Sequence, residues 1–472
     1  MRTSPIRVAL LSFSDGRKRV HESLKPRILE QEEAIARVLQ ERGIEVVRAD
    51  EPAWTPRMAT AAARAALSRD VAAAVFNIPV FAFPNLALLA ARVLMKPVAI
   101  VSPGDPGLPG MGGMLAAGSA LQLAGIHQER IWGPVTEQKT QRDLLRFVTA
   151  AGARHALVGQ VYGQFGGRSI GMVPAVACSP AEWMRVFGVD VDHVDQSEIL
   201  RRAEAVGEEE RARIVAWFEQ RVRSIPYDDD KLTKRNLGFQ AACAAAVKEI
   251  ASEREFDFVG VKCHFDMSEY YCTQCLSAAI LPTYLDWDGA RTPMVCACEA
   301  DADGALTMQI LQMVADLPAL FMDLRHYDRD EGVWTLCNCG AQSVYYSRAS
   351  RDPEENLAQV DLTPVIPKYG GVGAHVHYLA APGEFTFARL VHDGASPVLV
   401  AFRGEAVEAQ DAWLQKSCPA WPHMFARTRA SHEAVIRELH SNHIHAVGGD
   451  WLEELGAFAR LAGIEMRTPA GE

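Results

Sequence analysis

The sequence predicts an α/β protein. Two doubly wound, Rossmann-like α/β domains are followed by a mostly antiparallel, barrel-like C-terminal domain that ends in a helix. Three observations carry this expectation. Short apolar runs alternate with amphipathic helical patterns over residues 1–153 and again over 154–333, the grammar of parallel sheets covered by helices. From Trp334 to 472 the texture changes to short segments such as VWTLCNCG, HVHYLA, EFTFARLVHD and PVLVAFRG. These are rich in Val, Thr, Tyr and Phe and are punctuated by Gly, Pro and Asp, as in a small antiparallel barrel. The stretch Pro293–Tyr327 reads as strand, helix, strand: an apolar run ends at Glu299, a helical face carries Leu306, Ile310, Leu311 and Val314, and a second apolar run ends at Asp323.

In the first domain, strands are expected at Val8–Phe13, Glu45–Val47, Val71–Ile78 and Pro97–Ser102. Helices are expected at about Glu22 to Arg42, Pro56–Ser68, Pro84–Leu94 and Met114–Ala124. The window from Val71 to Ala91 carries no charge, but Asn77, Pro79, Pro84 and Asn85 break it. It reads as a buried strand, a loop and a helix rather than a membrane span. The loop Pro103–Gly113 follows a strand and precedes a helix. It has no third glycine of a dinucleotide fingerprint, because Leu115 stands there, and no GK[ST] follows.

The second domain opens with a strand expected at His155–Val161, which runs into YGQFGGRSIGM, where four glycines permit close backbone approach. Helices follow at Pro180–Phe187, Glu198–Val206, Glu208–Ser224 and Lys234–Glu253, then a strand at Phe256–Lys262. Near the C-terminus, a helix at Glu433–His440 leads to a strand at His443–Val447, and Asp450 reads as the N-cap of a last helix.

With 472 residues, 49% of them hydrophobic, the chain has ample material for two to four cored domains. A net charge of −11 without a long basic run argues against a nucleic-acid groove or an anionic membrane as partner. The N-terminal apolar run is short and reads as a buried strand, not a signal peptide. Ten cysteines in such a chain suggest reduced thiols in a cytoplasm. The close pairs Cys272/Cys275, Cys296/Cys298 and Cys337/Cys339 fit buried small hydrophobes better than a zinc knuckle, since Cys296 and Cys298 lie in an extended segment.

The chemistry centres on Glu299 and Asp323. As ends of neighbouring parallel strands, about 4.8 Å apart, they would sit at the sheet edge where open α/β folds bind ligands. Two carboxylates so close repel, and a divalent cation relieves the repulsion. The plainer reading is strand-end caps or ion-pair partners. Asp301 and Asp303 read as helix-start acids rather than calcium ligands, because Ile310 stands where an EF-hand loop needs Glu. Such a metal pair commonly adds a histidine. His443, His445, His375, His377, His264 and His326 are all candidates, and residue type and spacing do not choose among them.

Several motifs together resemble the L-fucose isomerase family, related to L-arabinose isomerases. They are SDGRKRVHESL before the first helix, GGRSIGM, LDWDGARTP followed by ACEADADGALTM, FMDLRHYD and SNHIHAVGGD. The resemblance implies that Glu299, Asp323 and His443 bind the metal, with Mn²⁺ expected and other divalent cations possible. It implies that Glu299 and Asp323 also form the acid–base pair, and that Arg17, Ile170, Lys262 and Asn442 contact a sugar. The implied activity is that of a metal-dependent ketol isomerase, interconverting an aldose and a ketose through a cis-enediol, on an L-fucose- or D-arabinose-like, related or modified sugar. A cytoplasmic homo-oligomer is implied, hexamers being common in the family. PKYGGVGAHVHY and WPHMFART depart from the family's sugar-contacting aromatics, which leaves the sugar itself open. A metal-dependent epimerase or lyase on the same scaffold, and a non-catalytic sugar-binding protein, are the rival readings.

Overall fold

The computed structural model describes residues 5–173, 179–394 and 396–472. The chain divides into two compact units: residues 2–156 with 456–461, and residues 157–455 with 462–472.

The first unit is built on a five-stranded parallel sheet in the order Glu45–Arg48, Arg7–Ser12, Ala73–Asn77, Val98–Ser102, Gln128–Trp132. Of its inner strands, Ala73–Asn77 and Val98–Ser102 are buried throughout and Arg7–Ser12 is buried except at Arg7, as a sheet covered on both faces requires. The connecting helices start and stop on local signals. Pro56–Leu67 is capped by the Thr55 side chain with proline at its first position, and Pro84–Leu94 begins with proline and ends at Met95 in a left-handed conformation. The strand order reverses direction between Arg7–Ser12 and Ala73–Asn77. The segment after Arg7–Ser12, which holds Asp15 and Arg17, therefore lies at the kind of crevice where such sheets take ligands.

The second unit contains two sheets. One is parallel, in the order Cys296–Cys298, Phe258–Val261, Val161–Phe165, Asp190–Val194. The other is mostly antiparallel, in the order Gly383–Asp393, His443–Gly448, Leu320–Asp328, Val333–Cys337, His423–Thr428, Ser396–Val407. Pairing of its first strand with its last closes a ring of six, and Glu465–Arg467 joins Ser396–Val407 in parallel. Closure removes the exposed edges that an open antiparallel sheet would present. The helix Ala302–Ala315 touches strands of both sheets. Its residues Ala302 to Leu311 are all buried, so it lacks the polar face of a surface helix.

Three expectations are corrected here. The strand–helix–strand stretch is not one parallel unit: Cys296–Cys298 pairs in parallel with Phe258–Val261, whereas Leu320–Asp328 enters the barrel between His443–Gly448 and Val333–Cys337. Apolar pattern identifies a strand but not its partner. Asp323 accordingly sits inside a nine-residue strand, not past its end. The strand expected at His155–Val161 is displaced, because the helix Gln138–Leu157 runs to Leu157 and the strand is Val161–Phe165. Short apolar runs do not separate helix from strand. Gln128–Trp132 and Asp190–Val194 escape sequence reading because both are end strands of their sheets, largely polar and solvent-facing.

Candidate metal and sugar site

Apart from Arg17, the residues described below lie within the second unit. Glu299 is the first residue after the strand Cys296–Cys298, and it and Ala300 adopt left-handed backbone (φ +61° and +54°). For non-glycine residues such backbone costs about 1–3 kcal/mol each, and it persists where the surroundings fix it, often at functional sites. The turn swings the chain from the parallel sheet into Asp301, which caps the buried helix by accepting a hydrogen bond from the Gly304 amide (2.9 Å).

Asp323 and His443 meet by register: they are directly paired across neighbouring antiparallel strands. His443 Nε2 lies 3.4 Å from Glu299 Oε2 and 3.7 Å from Asp323 Oδ1. Asn442, the preceding residue, donates to Asp323 Oδ1 at 2.9 Å. The structure thus gathers Glu299, Asp323, His443 and Asn442 in one place.

The other face of the imidazole is held firmly. His443 Nδ1 donates to Asp301 Oδ2 at 2.7 Å, since a carboxylate can only accept. Arg389 grips the same carboxylate with two hydrogen bonds, 2.5 Å to Oδ2 and 3.1 Å to Oδ1, and also donates to His445 Nε2 at 3.0 Å. Asp301, Arg389, His443 and His445 are all fully buried. Burial alone would raise Asp301, but the Arg389 and His443 cations outweigh it and hold the carboxyl well below the usual range. Burial would likewise lower His443. The hydrogen bond to Asp301 and the close approach of Glu299, with the charges of Asp301 and Asp323, push it up to about 10. Asp323 is raised, by burial first and then by the Glu299 charge, against the pull of His443 and Asn442.

These residues fit a divalent cation. Glu299 Oε2 is buried without a hydrogen-bond partner, an orphan acceptor facing the one imidazole nitrogen that is free to ligate. An imidazole whose far nitrogen is fixed by a carboxylate is the arrangement that orients a metal-ligating histidine.

The remaining residues named from sequence fall as follows. Ile170 is exposed, with φ +33°, in the loop after Val161–Phe165. Lys262 follows the strand Phe258–Val261 and pairs with Asp266 at 2.5 Å. Arg17 lies in the first unit, where Asp15 binds its guanidinium with bonds of 2.8 and 2.6 Å. Three of the other histidine candidates are engaged elsewhere. His375 is a buried core residue whose Nε2 accepts from the Ile366 amide, His377 Nδ1 contacts the Trp421 carbonyl, and His445 accepts from Arg389. Burial lowers His375 to about 3.

Sequence reasoning missed Asp301 as the holder of His443 and missed Arg389 altogether. It saw Asp301 only as a helix-start acid. That is correct for one oxygen; the other role joins residues 88 and 142 positions apart.

Comparison with known proteins decides the family. The profile of the L-fucose isomerase first N-terminal domain matches residues 5–159, and that of the L-fucose isomerase C-terminal domain matches residues 336–468. The chain belongs to the L-fucose isomerase family. Arg17 falls within the first match and Asn442 and His443 within the second. L-fucose isomerases of Escherichia coli O139:H28 (strain E24377A / ETEC) and O9:H4 (strain HS) are 23% identical over 367 residues, covering 64% of this chain. The match spans 62% of the length of those relatives, a little under two thirds. Among solved structures, a periplasmic solute-binding protein of an ABC transporter from Actinobacillus succinogenes 130z, with bound D-allose, aligns at 10% identity. It covers 56% of this chain and 80% of its own, and a TM-score of 0.18 gives it no weight.

Proposed function

We propose that this chain is a metal-dependent aldose–ketose isomerase of an open-chain sugar that is L-fucose- or D-arabinose-like, related or modified. The observation that carries the proposal is the single imidazole nitrogen of His443 facing both Glu299 and Asp323, while Asp301 and Arg389 lock its other side. Glu299, Asp323 and His443 would hold the cation, Mn²⁺ being the ion we propose. When bound, it supplies polarisation of the sugar's carbonyl and neighbouring hydroxyl.

The chain's own groups then perform the proton work. One carboxylate of the Glu299/Asp323 pair removes the proton from the carbon beside the carbonyl and returns it to the neighbouring carbon. The other moves the hydroxyl proton between the two oxygens, passing through a cis-enediol. The upward shift of Asp323 suits a group that must carry a proton. Asn442 fixes the Asp323 carboxylate through its 2.9 Å hydrogen bond, which leaves the second oxygen for substrate. We assign Asn442, Lys262, Ile170 and Arg17 to sugar contact, and a cytoplasmic homo-oligomer, a hexamer in particular, as the working assembly. Unpaired thiols at every described cysteine support a reducing compartment.

The test is direct. Glu299→Gln and Asp323→Asn should each abolish ketose formation while circular dichroism and the melting profile remain those of a folded protein. Full activity in both variants would remove the proposal. Deuterium from solvent should appear on the carbon next to the carbonyl in the ketose product; a cleaved product would instead support a lyase.

A further inference from the structure

Beside Glu299 lie further ligating atoms, those of His264, Cys339 and Cys298, that the isomerase chemistry does not use. His264, in the loop after the strand Phe258–Val261, and Glu299, after its parallel neighbour Cys296–Cys298, share one sheet edge. His264 Nε2 is 3.7 Å from Glu299 Oε1 and 3.3 Å from Cys339 Sγ. The ligand atoms of His264, Glu299 and Cys339 lie within 4.8 Å of one another. Cys298 Sγ lies 4.0 Å from Cys339 Sγ. His264 is oriented from behind by a 3.0 Å contact between its Nδ1 and Ser268 Oγ, and the Tyr369 hydroxyl stands 3.5 Å from the same Nε2.

A tetrahedral zinc, with Zn–S of about 2.3 Å and Zn–N and Zn–O of about 2.0–2.2 Å, has ligand–ligand edges of about 3.8 Å for S···S, about 3.5 Å for S···N and about 3.4 Å for N···O. The observed 4.0, 3.3 and 3.7 Å lie within a few tenths of an ångström of those edges. Two thiols and an imidazole select a soft or borderline cation, unlike the carboxylate-rich set around His443. An imidazole pinned through its far nitrogen is again the mark of a ligand rather than of a packed ring.

We propose that His264, Cys339 and Glu299 Oε1 form a second, sulfur-containing cation site selective for Zn²⁺, which the Cys298 thiol, 4.0 Å from Cys339 Sγ, completes on binding, with Glu299 as the carboxylate shared between it and the His443 site. Glu299 presents Oε1 to His264 and Oε2 to His443, which is the disposition of a bridging carboxylate. Zinc at the sulfur-rich position therefore draws on the same group that the acid–base chemistry needs, and makes that chemistry responsive to the soft-metal level. Only this sharing rests on the isomerase reading; the sulfur-rich position stands on its own residues.

Metal-free full-length protein, kept reduced with a phosphine, is titrated with Co²⁺ as the spectroscopic probe and then with Zn²⁺. The expected result is a near-ultraviolet thiolate-to-cobalt charge-transfer band with strong visible bands of tetrahedral cobalt, displaced by one equivalent of Zn²⁺. The band should persist in Asp323→Asn, which disables the neighbouring position, and be lost in Cys339→Ala and in His264→Ala. If either of these fails to fold, X-ray absorption of the zinc-loaded wild type should give two sulfur neighbours. Absence of the band in the reduced wild type, its survival in folded Cys339→Ala, or a zinc shell without sulfur overturns the proposal. A band that behaves as expected in a protein that turns over no aldose would leave this site standing while the isomerase reading falls.

Discussion

Replacing Asp301 by Asn probes the support of His443 without touching any proposed ligand. The Asp301 carboxylate accepts from His443 Nδ1 at 2.7 Å, from Arg389 at 2.5 and 3.1 Å and from the Gly304 amide at 2.9 Å, all in full burial. Asn keeps the shape and one acceptor oxygen but removes the charge, so the buried Arg389 guanidinium loses its ion pair with Asp301. Breaking a buried ion pair from one side costs about 3–5 kcal/mol. That is about two to four orders of magnitude in the folded-to-unfolded ratio. The amide nitrogen can also donate to His443 Nδ1, which favours the tautomer carrying its hydrogen on the ligating Nε2, and loss of such a supporting partner lowers metal affinity by about 10–100-fold. Urea denaturation and Mn²⁺ titration of Asp301→Asn, each against wild type, read the two effects separately. Wild-type Mn²⁺ affinity in a folded Asp301→Asn would refute the claim that Asp301 sets the ligating nitrogen of His443.

Other predictions follow from the same geometry. Because His443 is pushed up to about 10 and must give up its proton to ligate, Mn²⁺ affinity should rise about tenfold per pH unit between pH 6 and 9, measured by titration at fixed ionic strength; a flat profile contradicts the assignment. In the metal-free protein the sign is reversed. A raised histidine contributes stability that is present in full below its unfolded value of about 6.5 and is lost as pH rises toward 10, so urea midpoints should fall over that window. Asp301, held low, contributes stability that is present above the unfolded value of 3.8 and lost as pH falls through its depressed folded value, so acid unfolding should weaken in dependence on pH in Asp301→Asn. Asn442→Ala removes one hydrogen bond to a partly exposed carboxylate. It should lower kcat/KM while leaving the melting temperature nearly unchanged, as checked by steady-state kinetics and calorimetry.

Much of the fold is legible in the sequence because local pattern determines it. Pro84–Leu94 and Lys234–Glu253 match their expected bounds, since proline or a Thr cap fixes where each starts. The barrel texture after Trp334 reflects alternating β-branched and aromatic residues, and the ring closes as that texture suggests. What is not legible is pairing. Leu320–Asp328 is as apolar at its start as a parallel strand, and its antiparallel partners, Val333–Cys337 and the distant His443–Gly448, do not show in that pattern. The site shows the same division. Glu299 and Asp323 stand out because in each case an acid ends an apolar run. Asp301, Arg389 and His264 act through contacts across the fold that no spacing along the chain encodes.

The central claim is that Glu299, Asp323 and His443 act together on an open-chain sugar. Its most direct test is an aldose panel assayed for ketose formation with EDTA-stripped protein before and after Mn²⁺ is restored. The account predicts no turnover without metal, recovery with Mn²⁺ on at least one aldose, and no recovery in Glu299→Gln. Turnover that is indifferent to EDTA, or that survives in Glu299→Gln, would contradict it.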